Sequence, residues 1–132
     1  MGDCCGQPST IWLNEDGVQA GTPGHFTDSG QYLGWLWSES LALGDLDGGS
    51  DLDAYVANQI WFNDGGDQGA SPGTFVYNGQ SLSNPAKDHL ALGDLDGDDD
   101  LDASAGNGYP DPQPNIIWFN TEYTISFVPL VS

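Results

Sequence analysis

Two stretches of this 132-residue chain concentrate groups able to do chemistry. They read LALGDLDGGSDLDA from Leu41 to Ala54 and LALGDLDGDDDLDA from Leu90 to Ala103, and each packs its acids into nine residues between two short apolar segments. Counting the second from Asp94 as position one, Asp94, Asp96, Asp98 and Asp102 fall at positions one, three, five and nine. Alternate positions of a tightly curled loop aim successive side chains at one point, and Asp100 at position seven would offer its backbone carbonyl. Such a set of hard oxygens suits calcium, which takes about six to eight oxygen ligands at about 2.3–2.6 Å. Magnesium demands a stricter octahedron, and zinc prefers nitrogen and sulfur.

A bound cation would also answer an electrostatic problem. The chain carries twenty Asp and Glu against one basic residue, Lys87, for a formal net charge of −19. One divalent ion in each loop would bring this from −19 to about −15, leaving an excess that fits a salty or calcium-rich exterior, where screening relieves self-repulsion. An ordinary acidic secreted protein is the plainer reading of the same charge. Nothing here meets a phosphate, so nucleic acid and anionic membrane surfaces are excluded as partners. No apolar run is long enough to cross a bilayer, so membrane insertion is not expected.

The segments that would hold the loops repeat. IWLN at Trp12 returns as IWFN at Trp61, 49 residues later; Leu41 returns as Leu90 at the same spacing, and PGHFTDSGQYL from Pro23 aligns with PGTFVYNGQSL from Pro72. A third IWFN at Trp118 follows Trp61 by 57 residues, the extra length falling in the Pro- and Gly-rich GNGYPDPQPN. Each repeat reads as four short strands: residues 40–46, 53–58, 60–64 and 74–78 in one, and residues 89–95, 101–106, 116–120 and 124–130 in the next. Nineteen Gly, eight Pro and fifteen aromatic residues suit an all-β chain rich in turns. A four-stranded unit recurring every 40–50 residues or so is the pattern of a propeller blade. The chain divides as a single repeat domain over 1–132, with a half blade at 11–39, a blade at 40–88 and a blade at 89–130. These two and a half antiparallel blades make a partial β-propeller-like array. It cannot close alone, since closed propellers need about four blades.

GDLDG-x-x-DLD followed by an IWFN strand resembles the FG-GAP/VCBS repeat family, the blades of integrin-α-type propellers, whose calcium loop runs D-x-D-x-D-G-x-x-D. The likeness covers roughly residues 11–130. The loop opens as an EF-hand loop does but ends on Asp at position nine and lies between strands. The resemblance implies Asp94, Asp96, Asp98 and Asp102 as side-chain ligands with the Asp100 carbonyl, and Asp45, Asp47 and Asp53 with the Asp51 carbonyl in the first loop. About two calcium ions follow. Two departures weaken the first loop: Gly49 replaces the position-five carboxylate, and Ser50 stands at position six, where the turn needs positive φ; Asp99 at that place in the second loop tolerates it better.

The remaining residues argue against catalysis. His25 and His89 are single, and no nucleophile triad, phosphate-binding loop or reactive-cysteine context stands out. Cys4 and Cys5 are adjacent, a spacing that is no zinc motif and makes a strained disulfide. Trp12, Trp61 and Trp118 sit at matching repeat positions and read as core between blades. Trp35 and Trp37 have no counterpart in the next repeat, which makes them a possible ligand or partner surface, with core packing as the plainer reading. The expectation is a calcium-binding structural or adhesive protein, extracellular or at the cell surface, not an enzyme. It would join copies of itself in a ring or filament. A fragment of a larger adhesin or carbohydrate-binding propeller, taking glycan or another extracellular protein, is the alternative; a piece of a polysaccharide-active enzyme is the weaker one.

Overall fold

The computed structural model describes residues 7–14, 21–34, 40–65, 73–82, 89–106, 114–121 and 128–131. Among them the chain is all-β, with ten strands: β1 (Ser9–Asn14), β2 (Phe26–Leu33), β3 (Leu41–Gly44), β4 (Asp53–Val56), β5 (Gln59–Asn63), β6 (Phe75–Ser81), β7 (His89–Gly93), β8 (Asp102–Gly106), β9 (Ile116–Phe119) and β10 (Val128–Val131). They form three antiparallel sheets. The first is the pair β1–β2, the second runs β3-β4-β5-β6, and the third runs β7-β8-β9-β10. The expected strands lie where sequence placed them to within a few residues, except that of the expected last strand, 124–130, only residues 128–130 fall within the described residues.

The repeat is reproduced in the strand register. Leu41 faces Val56 and Gly44 faces Asp53; 49 residues on, Leu90 faces Ala105 and Gly93 faces Asp102. Trp12 faces Asp28 and Trp61 faces Tyr77, and each ladder carries a register shift just before its tryptophan. Because a one-residue slip would turn every side chain to the opposite face, equal registers put equivalent residues on equivalent faces.

Those faces stack the sheets. Tyr55, Ile60 and Leu46 of the second repeat pack against Ala103, Ala105 and Trp118 of the third. Leu33 of β2 packs against Ala54 and Val56 on the other side of the second sheet. The middle sheet is therefore packed on both faces at β4, all four of whose residues are buried. In the first sheet β1 alternates half-buried and exposed residues, whereas β8 of the third sheet has no exposed residue. The three tryptophans, expected as equivalent core residues, separate: Trp118 is 3% exposed, Trp61 is half-buried, and Trp12 is 56% exposed. Trp12 thus corrects the sequence reading. Trp118 is buried between the third sheet and the second, whereas Trp12 stands at the rim of an open groove.

One glycine sets how closely the second and third sheets meet. A Cβ on Gly44 would sit 2.5 Å from Leu101 Cδ1 and 3.1 Å from Leu92 Cδ1, while one on Gly93, the same repeat position, would meet nothing within 4 Å. We expect Gly44→Ala to destabilise by about 1 kcal/mol, the low end of overpacking costs because a leucine methyl can yield. Gly93→Ala should be neutral or slightly stabilising. Urea unfolding of both variants measures the contrast.

Candidate metal centre

Both acidic loops join the first two strands of a sheet, and both are curled by their own carboxylates. Asp45 accepts from the Gly48 amide at 2.8 Å through Oδ1 and from the Ser50 amide at 3.1 Å through Oδ2. Asp94 does the same with Gly97 at 2.6 Å and Asp99 at 3.2 Å, and takes the Asp98 amide at 3.2 Å as well. This curl needs left-handed backbone twice. Gly48 and Gly97 supply it at φ 79° and 85°, and Ser50 and Asp99 adopt it at 66° and 72°. A serine there carries a conformational cost that Gly, and to a lesser degree Asp, avoids.

The last carboxylate of each loop fastens it to the sheet. Asp53 is fully buried; it accepts from the Leu46 amide at 2.7 Å and, across β4, from the Asn63 amide at 2.8 Å. Asp102, also fully buried, accepts from the Leu95 and Asn120 amides, each at 2.8 Å. Each carboxylate oxygen holds two lone pairs, so a backbone hydrogen bond leaves room for a cation on the same atom.

The curl gathers three carboxylates in each loop. Asp45, Asp47 and Asp53 bring one oxygen apiece within 4.8 Å of one another, and Asp94, Asp96 and Asp102 do likewise. Two oxygens bound to one calcium at about 2.3–2.6 Å can stand at most about 5 Å apart, so either triad fits a single ion. These six residues stand at positions one, three and nine of the expected ligand set. Asp98 lies beside Asp96, within side-chain hydrogen-bonding reach, and itself accepts from the Asp100 amide at 3.0 Å. Asp51 and Asp100, expected to act through backbone carbonyls, are half-buried within the loops. Trp35, Trp37, Cys4, Cys5 and Lys87 lie outside the described residues.

The two loops sit in different surroundings. Asp45 and Asp47 are half-buried, whereas Asp94 and Asp96 are exposed. The third sheet makes the difference, since Asn120 Nδ2 donates to the Leu46 carbonyl at 2.9 Å and Leu46 is buried beneath it. The electrostatics follow. Burial, then repulsion from Asp47 and Asp51, raises Asp53 from 3.8 to about 6 against the two amide bonds that favour its ionised form. Asp96 is held above its ordinary value first by loop atoms that displace water, then by Asp98 and Asp102.

The asparagine of the IWxN motif is a functional part that the repeat pattern alone did not explain. Asn63 Oδ1 accepts from the Gly65 and Gly73 amides at 3.2 and 3.0 Å, and Asn14 Oδ1 accepts from Gly24 at 3.1 Å, which fixes the turn into the fourth strand. Gln31 then ties the first sheet to the second, donating to the Gly73 carbonyl at 2.6 Å and accepting from the Phe75 amide at 2.8 Å. Recurrence of Asn14, Asn63 and Asn120 in one motif was the available signal.

Compared with family models, curated proteins and solved structures, the chain finds no match in any of the three.

Two outcomes follow from the loop geometry. Calorimetric calcium titration should resolve two sites, and Asp96→Ala should remove the tighter one. Asp47→Ala should remove the weaker one, because Gly49 already leaves that loop a carboxylate short; the reverse order would overturn the ranking. In metal-free buffer, Asp53 keeps its proton in the folded state between pH 3.8 and about 6, where the unfolded chain has lost it. Its contribution is complete below pH 3.8 and is lost as pH rises through about 6. The apparent midpoint should therefore rise on acidification from pH 7 to 5, and saturating calcium should reverse the slope, because the ion favours the ionised carboxylate.

Proposed function

We propose that the chain is a calcium-stabilised structural repeat protein whose ions make its acidic hairpins foldable, and that it works outside the cell or at its surface in a structural or adhesive role. The observation that carries this is the recurrence of one triad geometry, 49 residues apart, at the same corner of two sheets. Repulsion among the carboxylates and burial of Asp53 both oppose the ionised, metal-free state. A divalent ion removes both costs at once, and its binding energy becomes folding energy. The carboxylates are then occupied and ionised, which leaves them no acid–base role, so the reading is of a non-enzymatic protein.

The resemblance to FG-GAP/VCBS repeats supports the same reading, with the three stacked sheets as successive blades of a propeller-type array. The exposed Leu95 of the second acidic loop, the repeat equivalent of buried Leu46, supports association with further copies of the chain, as a ring or filament. The identity of the ion is part of the proposal: an all-oxygen donor set favours calcium over zinc, and a protein loop that need not supply a near-ideal octahedron favours it over magnesium.

Thermal unfolding tests the proposal. Extracellular calcium modules bind at about 10⁻⁴–10⁻³ M, so 10 mM calcium should stabilise by about 1.4–2.7 kcal/mol per site. That corresponds to a rise in midpoint of roughly 3–10 °C per site, reversed by chelator. Magnesium at the same concentration should do much less. An unchanged midpoint in calcium would overturn the proposal.

A further inference from the structure

The first sheet leaves part of the second uncovered. A groove of about 390 Å³ runs between them, lined by Leu41, Leu43, Leu52 and Ala54 on one side and by Ile11 and Trp12 on the other. Leu41, Leu43 and Leu52 are each more than half exposed. The groove continues an interface already formed, for Leu33, Ala54 and Val56 both line it and belong to the buried contact between the two sheets.

The repeat itself indicates what covers such a surface. Leu90, Leu92 and Leu101 are the same positions one repeat later, and all three are packed in the core between the second and third sheets. What covers them there is the β3–β4 hairpin and its acidic loop. Leu46, 2% exposed, enters that core, and its carbonyl accepts from Asn120 Nδ2 at 2.9 Å. Asn63, which lines the groove, is the repeat equivalent of Asn120. The strand ladders point the same way. β5 pairs with β6 on one side and β4 on the other, whereas β1 is laddered to β2 alone among the described residues.

We propose that this groove receives one further β-hairpin of the chain's own repeat type, a strand, acidic loop and strand presented by a partner polypeptide with its second strand unpaired. That strand adds to β1. By the register of β4 on β5, the residues of the partner equivalent to Ala103, Ser104 and Ala105 stand opposite Trp12, Ile11 and Thr10. Its leucine equivalent to Leu95 fills the groove as Leu46 fills the neighbouring core, and the carbonyl of that leucine accepts from Asn63. An intact second copy is not the occupant, since its β4 edge is taken by β5 and its β8 edge by β9. The inference rests on reading the sheets as repeats of one stacked array.

The probe is a synthetic peptide of residues 89–106, titrated calorimetrically into the full chain in 150 mM NaCl and 10 mM calcium. One-to-one binding is expected, weakened at least tenfold by Leu43→Asp in the chain and by Leu95→Asp in the peptide, since burying a leucine is worth about 1.5–3 kcal/mol. Val76→Asp, on an exposed position away from the groove, should leave binding unchanged. A calcium-dependent melt of each variant confirms that it folds. Absent peptide binding, or binding indifferent to Leu43→Asp, overturns the proposal. So does a dimer of intact chains that Leu43→Asp dissolves while the peptide stays unbound, which would make a second copy the occupant. Failure of wild-type protein to respond to calcium in the melt sinks the function proposed above, whereas a calcium response without peptide binding sinks only the groove's occupant.

Discussion

The structure hinges on a buried carboxylate that does two jobs. Asp53 and Asp102 each take one amide from their own loop and one from the end of the third strand of their sheet. Loop and sheet are thereby locked in one geometry, and an apolar substitute would leave two buried amides unsatisfied. The same oxygens close the acidic triads. A residue needed to hold the hairpin to its sheet is thus also one that suffers from its neighbours' charge. Local stability and the case for a cation therefore meet at one side chain in each repeat.

Between sheets the coupling is mostly apolar, with a few polar links in fixed places. Leu46 sits under the third sheet with its carbonyl bound by Asn120, Gly44 offers no Cβ to keep Leu101 away, and Gln31 closes on the turn before β6 from the first sheet. Each link uses a residue that recurs in the repeat, so a single unit carries half of two contacts. A unit with a neighbour on one side only keeps the other half open. This is why equivalent leucines are covered in one repeat and exposed in another, with no change of residue type: buried Leu46 against exposed Leu95, and half-buried Leu92 against exposed Leu43.

Much of the architecture was legible in the residues. The 49-residue spacing of Trp12 and Trp61 reappears as identical ladder registers, and the acidic loops lie between strands as the flanking LALG and DLDA segments required. Position six of each loop takes positive φ although neither Ser50 nor Asp99 is glycine. What the pattern did not carry was neighbour-dependent. Trp12 and Trp118 read alike because a motif encodes the face a residue occupies, whereas burial depends on whether another sheet covers that face. The role of Asn14, Asn63 and Asn120 was hidden for a related reason: their partners are backbone amides and carbonyls, which leave no trace in residue type. The burial of Asp53 and Asp102 was hidden similarly, since a ligand aspartate and an aspartate bonded to two amides look the same in a one-letter code.

The two loops also separate two quantities that are easily merged, how tightly an ion is held and how much its presence matters. Each loop gathers three carboxylates, and the second has one more close by, since Asp98 stands beside Asp96 where the first loop has Gly49. Its Asp94 and Asp96 are exposed, however, although Asp102 is as fully buried as Asp53, so the metal-free form costs less there than in the first loop. The first loop has one carboxylate fewer, but its Asp45 and Asp47 are half-buried where Asp94 and Asp96 are exposed. Repulsion there is poorly screened, and the metal-free form is correspondingly worse. An ion would thus be held more tightly by the loop that needs it less, and the stronger dependence on an ion would fall to the loop on which the contact between the second and third sheets rests.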